Sequence, residues 1–350
     1  MNHAAIVALS PLSGLYGVAM KARRALYRRG FFRVHDIGVP VISVGNITTG
    51  GTGKTPLVGW IARALAQRQK RVCILTRGYG RANPGSRVLV SDGDEILSDA
   101  RVTGDEPLLL AEELKGEAAV ICDADRVAAA RWAIETLDTE LFLLDDGFQH
   151  MRMARDLNIV VVDATNPWGN GRVLPAGNLR ESPAQMARAD CIVITRADDA
   201  AQTEALKSEI DRLSKGRPVF RSRMRLDGLR NLTGSPSVDE LNSKPVAAFC
   251  GVGNPQSFFA QLRRAGYTLC HTGSFPDHHY YTQNEISALV SESSARGAHA
   301  LLTTAKDEVK LRSLKFEMPC YVVDVTIEIE NESELLALID KAIGQSARAV

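Results

Sequence analysis

Between positions 48 and 55 the chain reads Thr-Thr-Gly-Gly-Thr-Gly-Lys-Thr. Glycines at 50, 51 and 53 let successive backbone N–H groups turn onto a polyanion, while Lys54 reaches outer phosphates and the Thr55 hydroxyl can hold Mg²⁺. Thr48 occupies the place where the usual pattern has its first glycine. The segment Thr48, Thr49, Gly50, Gly51, Thr52, Gly53, Lys54 and Thr55 is read as a phosphate-binding loop. A second constellation, Leu141-Phe-Leu-Leu-Asp145-Asp146, is an apolar run ending in two carboxylates. That is the form in which a nucleotide site carries an acid for a metal ion.

Two further clusters carry titratable groups. Asp105 and Glu106 precede Pro107 at the expected start of a helix. Two readings stand for them: simple complement to the helix dipole, or a general base and a second metal ligand near a transferred phosphate. Phe275-Pro-Asp-His-His-Tyr-Tyr281 concentrates two histidines, an acid and two tyrosines. A histidine held by a neighbouring carboxylate can assist the deprotonation of a hydroxyl. Lys306, in Thr303-Thr-Ala-Lys-Asp307, serves a substrate or a salt bridge equally well. Gly251-Val-Gly253 reads as a turn, and Thr195-Arg-Ala-Asp198 is a weak match to a guanine-reading motif with arginine in place of lysine.

These residues need elements to hold them. Val41–Val44 is a β-branched run before the glycine loop, and Leu57, Ile61, Ala64 and Leu65 follow at helical spacing, which predicts strand, loop, helix. Short continuous apolar runs at 71–76, 118–122, 141–146, 158–163 and 191–195 predict parallel strands buried on both faces, with helices at 108–114 and 124–137. The pair Asp92-Gly93 between two short apolar runs predicts an inserted β-hairpin over 87–97, free to act as a lid. Strands at 245–251, 300–304 and 320–325 and helices at 255–265, 283–296, 306–314 and 332–343 repeat the pattern on a smaller scale. The expected fold is α/β: a P-loop NTPase-type, mostly parallel sheet sandwiched by helices, with a second smaller α/β domain. The expected organisation is a membrane-associating segment over 1–36, a P-loop domain over 37–225, a linker over 226–244 and a smaller domain over 245–350.

The chain has 350 residues with 42 Lys and Arg against 41 Asp and Glu, a formal net charge of +1. A near-neutral balance argues against a nucleic-acid partner. Six cysteines lie without a Cys-x-x-Cys pair, most inside apolar runs, so they read as small buried hydrophobes in a reducing compartment. Ala4 to Met20 is mostly apolar but carries Pro11, Gly14 and Gly17, and falls short of the ~20 apolar residues a membrane span needs. Lys21, Arg23, Arg24, Arg28, Arg29 and Arg33 follow, with Leu26, Tyr27, Phe31 and Phe32 between them. Two readings stand from the residues alone: a helix lying in an anionic membrane surface, or a terminal helix packed on the domain with solvated arginines.

Taken in order, Val44-Gly-Asn-Ile-Thr-Thr-Gly-Gly-Thr-Gly-Lys-Thr55, Leu75-Thr-Arg-Gly-Tyr-Gly80, Gly104-Asp-Glu-Pro107, Leu144-Asp-Asp-Gly-Phe-Gln-His150, Leu174-Pro-Ala-Gly-Asn-Leu-Arg-Glu181, Phe275-Pro-Asp-His278 and Leu302-Thr-Thr-Ala-Lys-Asp307 resemble the tetraacyldisaccharide 4′-kinase family. The resemblance runs from the N-terminal segment to about residue 325. It implies ATP-dependent phosphorylation of the 4′-hydroxyl of an acylated glucosamine disaccharide 1-phosphate, at the cytoplasmic face of the inner membrane. Carried over by position, Lys54 and Thr55 serve ATP and Mg²⁺, Asp145 and Asp146 match the metal-binding acids, Asp105 the base, Glu106 a further metal-site acid and His278 the histidine paired with the base. Arg77, Tyr79, Gln149, His150, Asn178 and Arg180 are expected to face the substrate. Ala305 replaces an expected proline, and His279 adds a second histidine that competes with His278.

A substrate with four acyl chains leaves a bilayer only at ~0.8 kcal/mol per exposed CH₂, which favours the membrane reading of residues 4–33. Because Asp105 and His278 belong to different expected domains, hinge closure near 217–244 is expected to bring them together. A monomer is expected. Two other classes stand as alternatives. A membrane-cycling ATPase switch of the deviant-loop class wants lysine where Thr49 stands, and a GTP-dependent metal chaperone wants His or Cys clusters and a proper guanine motif.

Overall fold

The computed structural model describes residues 3–346 apart from 82, 199, 234–240 and 242–243. Its centre is a parallel sheet built around β1 (Val41–Gly45), whose five residues are all buried. β1 lies between β5 (Leu141–Asp145) and β6 (Leu157–Asp163). β2 (Val72–Thr76) and β4 (Ala118–Cys122) extend it on one side, and β7 (Cys191–Thr195) on the other. The strands are mostly apolar and buried because helices cover both faces, leaving no solvated side to select alternation. α2 (Lys54–Ala66) buries Leu57, Val58, Ile61 and Leu65 against one face. α5 (Arg126–Leu137) covers the other with Val127, Ala129, Ala130 and Ala133.

The Asp92-Gly93 turn forms, with Leu97 N–H donating to the Val90 carbonyl and Ser91 bridging Ile96. The first arm, β3 (Val88–Ser91), does not stand free as a lid. It pairs antiparallel with β4 and closes the sheet's edge, because that edge offers unpaired backbone groups that a strand can satisfy.

The second half places β9 (Val246–Cys250), β10 (Leu269–Ser274), β11 (Leu301–Thr304) and β12 (Cys320–Ile329) side by side. Helices α7 (Pro255–Arg264), α8 (Gln283–Ala295) and α9 (Ala305–Leu311) connect them. The helix α6 (Ala200–Ser214) and the strand β10 are among the elements that add to the expected set.

The two halves are not separated at 225. β8 (Val219–Asn231) is one 13-residue strand. Its start pairs with β7, and the strand then runs antiparallel along β12, so that twelve strands form one continuous sheet. Residues 226–231 of the expected linker are thus strand, while 234–240 and 242–243 lie outside the described residues. The chain then returns: Ile327 and Ile329 of β12 and Leu335, Ile339 and Ala342 of α10 (Glu332–Ser346) are buried in the same core as α2 and β1. The alternation over 220–226 reads as an exposed strand in the sequence, and the structure extends that strand to Asn231, where its arginines and apolar residues face the acidic and apolar residues of β12.

Candidate active site

The loop after β1 opens into a cleft of about 1260 Å³, lined from Thr49 through Pro56. Outside donors take its carbonyls: Thr195 Oγ1 donates to Thr52 O at 2.7 Å and Arg196 Nη1 to Gly51 O at 2.9 Å. Carbonyl and amide on a trans peptide point opposite ways, so pulling these carbonyls outward turns the following amides inward. The residues of the weak guanine-motif match therefore brace the phosphate loop. Thr48 does not line the cleft. It is buried, and bridges Leu179.

β1 and β5 pair in register with Val44 opposite Asp145, which puts the two acids beside the loop. Asp145 is buried; its Oδ2 accepts from Thr76 Oγ1 at 3.2 Å, and its Oδ1 has no hydrogen-bond partner among the described residues. Burial, then the charges of Glu106 and Asp146, push its carboxyl up to about 6. Burial pushes Asp146 up as well, but Lys54 at 3.5 Å and Arg180 at 2.5 Å overcome it and hold the group at about 2.

Asp105 begins α4 (Asp105–Glu113), directly after the short helix α3 (Ala100–Thr103), with Pro107 in the first turn as expected. Gly104 (φ 88°) lets this helix start where it does: a Cβ there would lie 2.6 Å from the Tyr79 carbonyl. Across the cleft, His278 follows β10 in the left-handed region (φ 61°). The two meet, with His278 Nδ1 2.8 Å from Asp105 Oδ1 and 3.1 Å from Oδ2. His278 lines the cleft and Asp105 sits behind it, 4 % exposed. Their hydrogen bond raises His278 above its ordinary value despite burial. Burial would raise Asp105, but the His278 hydrogen bond and the Lys306 and Lys310 charges hold it well below the carboxylate range.

The competing histidine is engaged elsewhere. His279 stacks on Phe275 and places Nε2 3.1 Å from Glu285 Oε1. Glu106 also has a partner: Lys306 Nζ lies 2.9 Å from its Oε1 and 3.0 Å from Asp277 Oδ1. Lys306 therefore makes the salt bridge of its two readings. Ala305 stands at the first position of α9, where a proline would also fit.

Of the expected substrate-facing residues, Arg77, Tyr79, Gln149, His150 and Arg180 line the cleft. Gln149 is tied to Asn46 O and Glu181, and burial beside Arg126 pushes His150 down to about 3, so it is a neutral ring at physiological pH. Asn178 does not line the cleft; its carbonyl accepts from Thr49 N–H at 2.7 Å and anchors the phosphate loop. Three contributors escape sequence reading. Arg126, buried at the cleft, donates to the Asp145 carbonyl at 3.4 Å, and only its place after a strand tip could mark it. Gly253 of the supposed turn meets the phosphate loop, since a Cβ there would lie 2.9 Å from Gly51 N. Asp307 is fully buried and accepts from Tyr281 OH, Thr304 Oγ1 and Gly251 N–H, joining three loops around the site.

A family model for tetraacyldisaccharide-1-P 4′-kinase matches residues 5–344. The chain belongs to this family. Relatives named tetraacyldisaccharide 4′-kinase include one from Geobacter metallireducens, 40 % identical over 98 % of this chain and 100 % of that protein. Another, from Desulfotalea psychrophila, is 40 % identical over 94 % of each. The crystal structure of LpxK from Aquifex aeolicus in complex with ATP is similar at 33 % identity and a TM-score of 0.76, covering 97 % of this chain and 99 % of that one. The match spans both halves and the N-terminal helix.

Proposed function

We propose that this protein is an ATP-dependent kinase that phosphorylates the 4′-hydroxyl of a tetraacylated glucosamine disaccharide 1-phosphate, the step that forms lipid IVA. The observation that carries the mechanism is the Asp105–His278 pair opposite the phosphate loop. Phosphoryl transfer asks for positioning and charge neutralisation more than covalent help. Lys54 and the loop amides grip the triphosphate of ATP. Asp145 and Thr55, with Asp146 beside them, fit Mg²⁺: an ion that keeps one or two carboxylates and takes the rest of its ligands from phosphates and water suits the unpartnered Asp145 Oδ1. When bound, Mg²⁺ supplies neutralising charge at the phosphates. Glu106, paired with Lys306, is left out of that set.

The resemblance assigns the base to Asp105. The geometry supports a division of labour in which His278 Nε2 takes the proton from the sugar hydroxyl while Asp105, out of the cleft and strongly acidic, holds the ring through Nδ1. The sugar oxygen then bonds to the γ-phosphorus as the β–γ bridging bond breaks, with ADP leaving.

The acceptor's acyl chains keep it in a bilayer, so the enzyme works at that surface. α1 (His3–Arg28) supports this. Its polar side is docked: Ser13 Oγ donates to Val173 O, Tyr16 OH to Arg180 O and Arg24 to Glu181. Its other side shows Val7, Leu12, Leu15 and Val18 at 54–67 % exposure. That is an apolar face beside exposed Lys21, Arg28 and Arg29. Among the described residues no helix is long and apolar enough to cross a membrane; the docking proposed for α1 is at the cytoplasmic face of the inner membrane.

The test is phosphate delivery from ATP to the tetraacylated disaccharide. Lys54→Ala should abolish it. Asp105→Ala and His278→Ala should lose at least ~100-fold in kcat with ATP affinity kept. Turnover surviving in Lys54→Ala would sink the reading.

A further inference from the structure

We infer that Lys310 is a third member of the Asp105–His278 unit: a positioning residue whose buried ammonium fixes the carboxylate that orients the histidine. The inference rests on the roles proposed above for Asp105 and His278.

Lys310 Nζ lies 3.0 Å from Asp105 Oδ2, with side-chain exposures of 2 % and 5 %. The other oxygen, Oδ1, takes the Glu106 amide at 3.1 Å and is the nearer acceptor for His278 Nδ1, at 2.8 Å against 3.1 Å to Oδ2. A carboxylate with one occupied oxygen can turn about its Cβ–Cγ bond and offer either oxygen to the ring. Lys310 removes that freedom by engaging Oδ2, so the ring is aimed by a fixed acceptor. Among the described residues Lys310 is the lysine within hydrogen-bond distance of Oδ2; Lys306, one turn earlier on α9, adds its charge from farther away while its own bonds go to Glu106 and Asp277.

Lys310 does not line the cleft, so it acts only through Asp105. Its own placement is rigid. Asp307, three residues before it, receives Tyr281 OH at 2.8 Å from the loop that carries His278. The Lys310 ammonium also sits 5.9 Å from the Tyr280 ring. Histidine and lysine thus reach Asp105 from one rigid body, and their spacing is set before substrate enters. A buried ion pair adds little to stability, but removing one partner leaves the other charge buried and uncompensated.

The expectation for Lys310→Met is a kcat lowered by about 10–100-fold, the range seen when an outer partner of a functional ligand is removed, with the KM for ATP unchanged. Lys310→Arg, which keeps the charge, should recover most of the loss. The deciding measurement is a double-mutant cycle: in a His278→Ala background Lys310→Met should cost no further turnover, because residues acting as a unit are not additive. A merely structural lysine would cost the same factor in both backgrounds, and that result overturns the inference, as does a wild-type kcat in Lys310→Met. If Lys310→Met does not fold, Lys310→Gln carries the same cycle. If His278→Ala itself keeps full turnover, the underlying dyad reading fails instead.

Discussion

Asp145 shows how one side chain is compromised for its task. It ends β5 in a place where burial and two neighbouring carboxylates disfavour its charge, and its folded pKa of about 6 lies above the ordinary 3.8. A group raised in this way favours the fold only while protonated, so its contribution is present below about pH 3.8 and is lost as pH rises through about 6. At neutral pH the anion is therefore a liability to the fold and an asset to cation binding. Asp145→Asn should raise stability at pH 7.5 by on the order of 2 kcal/mol while abolishing turnover. The gain should fade as pH drops across that window. Urea denaturation at a series of pH values reads both, and a variant less stable than wild type at neutral pH would contradict the assignment.

α1 has its polarity inverted relative to a helix that packs into a core. The residues it docks are Ser13, Tyr16 and Arg24, and the ones it leaves out are leucines and valines. Pro11 falls inside the helix, a cost accepted over one turn only. Because the docked face and the exposed face are chemically separate, they can be tested separately. Leu15→Glu with Val18→Glu should cut recovery on anionic vesicles several-fold by removing apolar contact and adding repelled charge. The same variant should keep its kcat on detergent-dispersed lipid, since neither side chain reaches the cleft. Loss of both properties together would mean that the exposed face also supports the fold.

Over the whole molecule, the cleft is bounded by halves joined through the β8–β12 ribbon and again through charges between α4 and α9. The ribbon carries an irregularity in register between Asp324 and Val325, opposite Gly228 and Leu226, where a bulge concentrates bending. The hinge closure expected from sequence near 217–244 is not needed to bring Asp105 and His278 together, since they already lie 2.8 Å apart. The charged pairs are not equal. Arg312 grips Glu112 through two bonds of 2.6 and 2.7 Å, but at 45 % and 26 % exposure. Solvent screening leaves such a pair worth less than about 1 kcal/mol. Arg312→Ala should accordingly change stability by less than that and leave kcat within about two-fold, in contrast to Lys310→Met two residues earlier. A large loss of activity in Arg312→Ala would show that the outer pairs, not the buried one, hold the site.

Much of this protein is local in origin. The phosphate loop, the strands at 141–146 and 191–195 and the helix begun by Gly104-Asp-Glu-Pro107 follow from glycine placement, apolar run length and capping, all properties of neighbours in the chain. The pairing of Asp105 with His278 came through resemblance, and the structure bears out their contact at 2.8 Å. What no local pattern contains is the rest of the constellation. Lys310 joins Asp105 across 205 positions, Gly253 meets the phosphate loop, and α10 returns to the first core. Asn178 and Thr48, expected at the ligand, brace the loop from behind. Side-chain chemistry and spacing set which groups are available. Only the folding of a single twelve-stranded sheet, through the antiparallel β8–β12 contact, decided which of them are neighbours, because that contact lies between segments about a hundred residues apart whose affinity shows only when they are laid side by side.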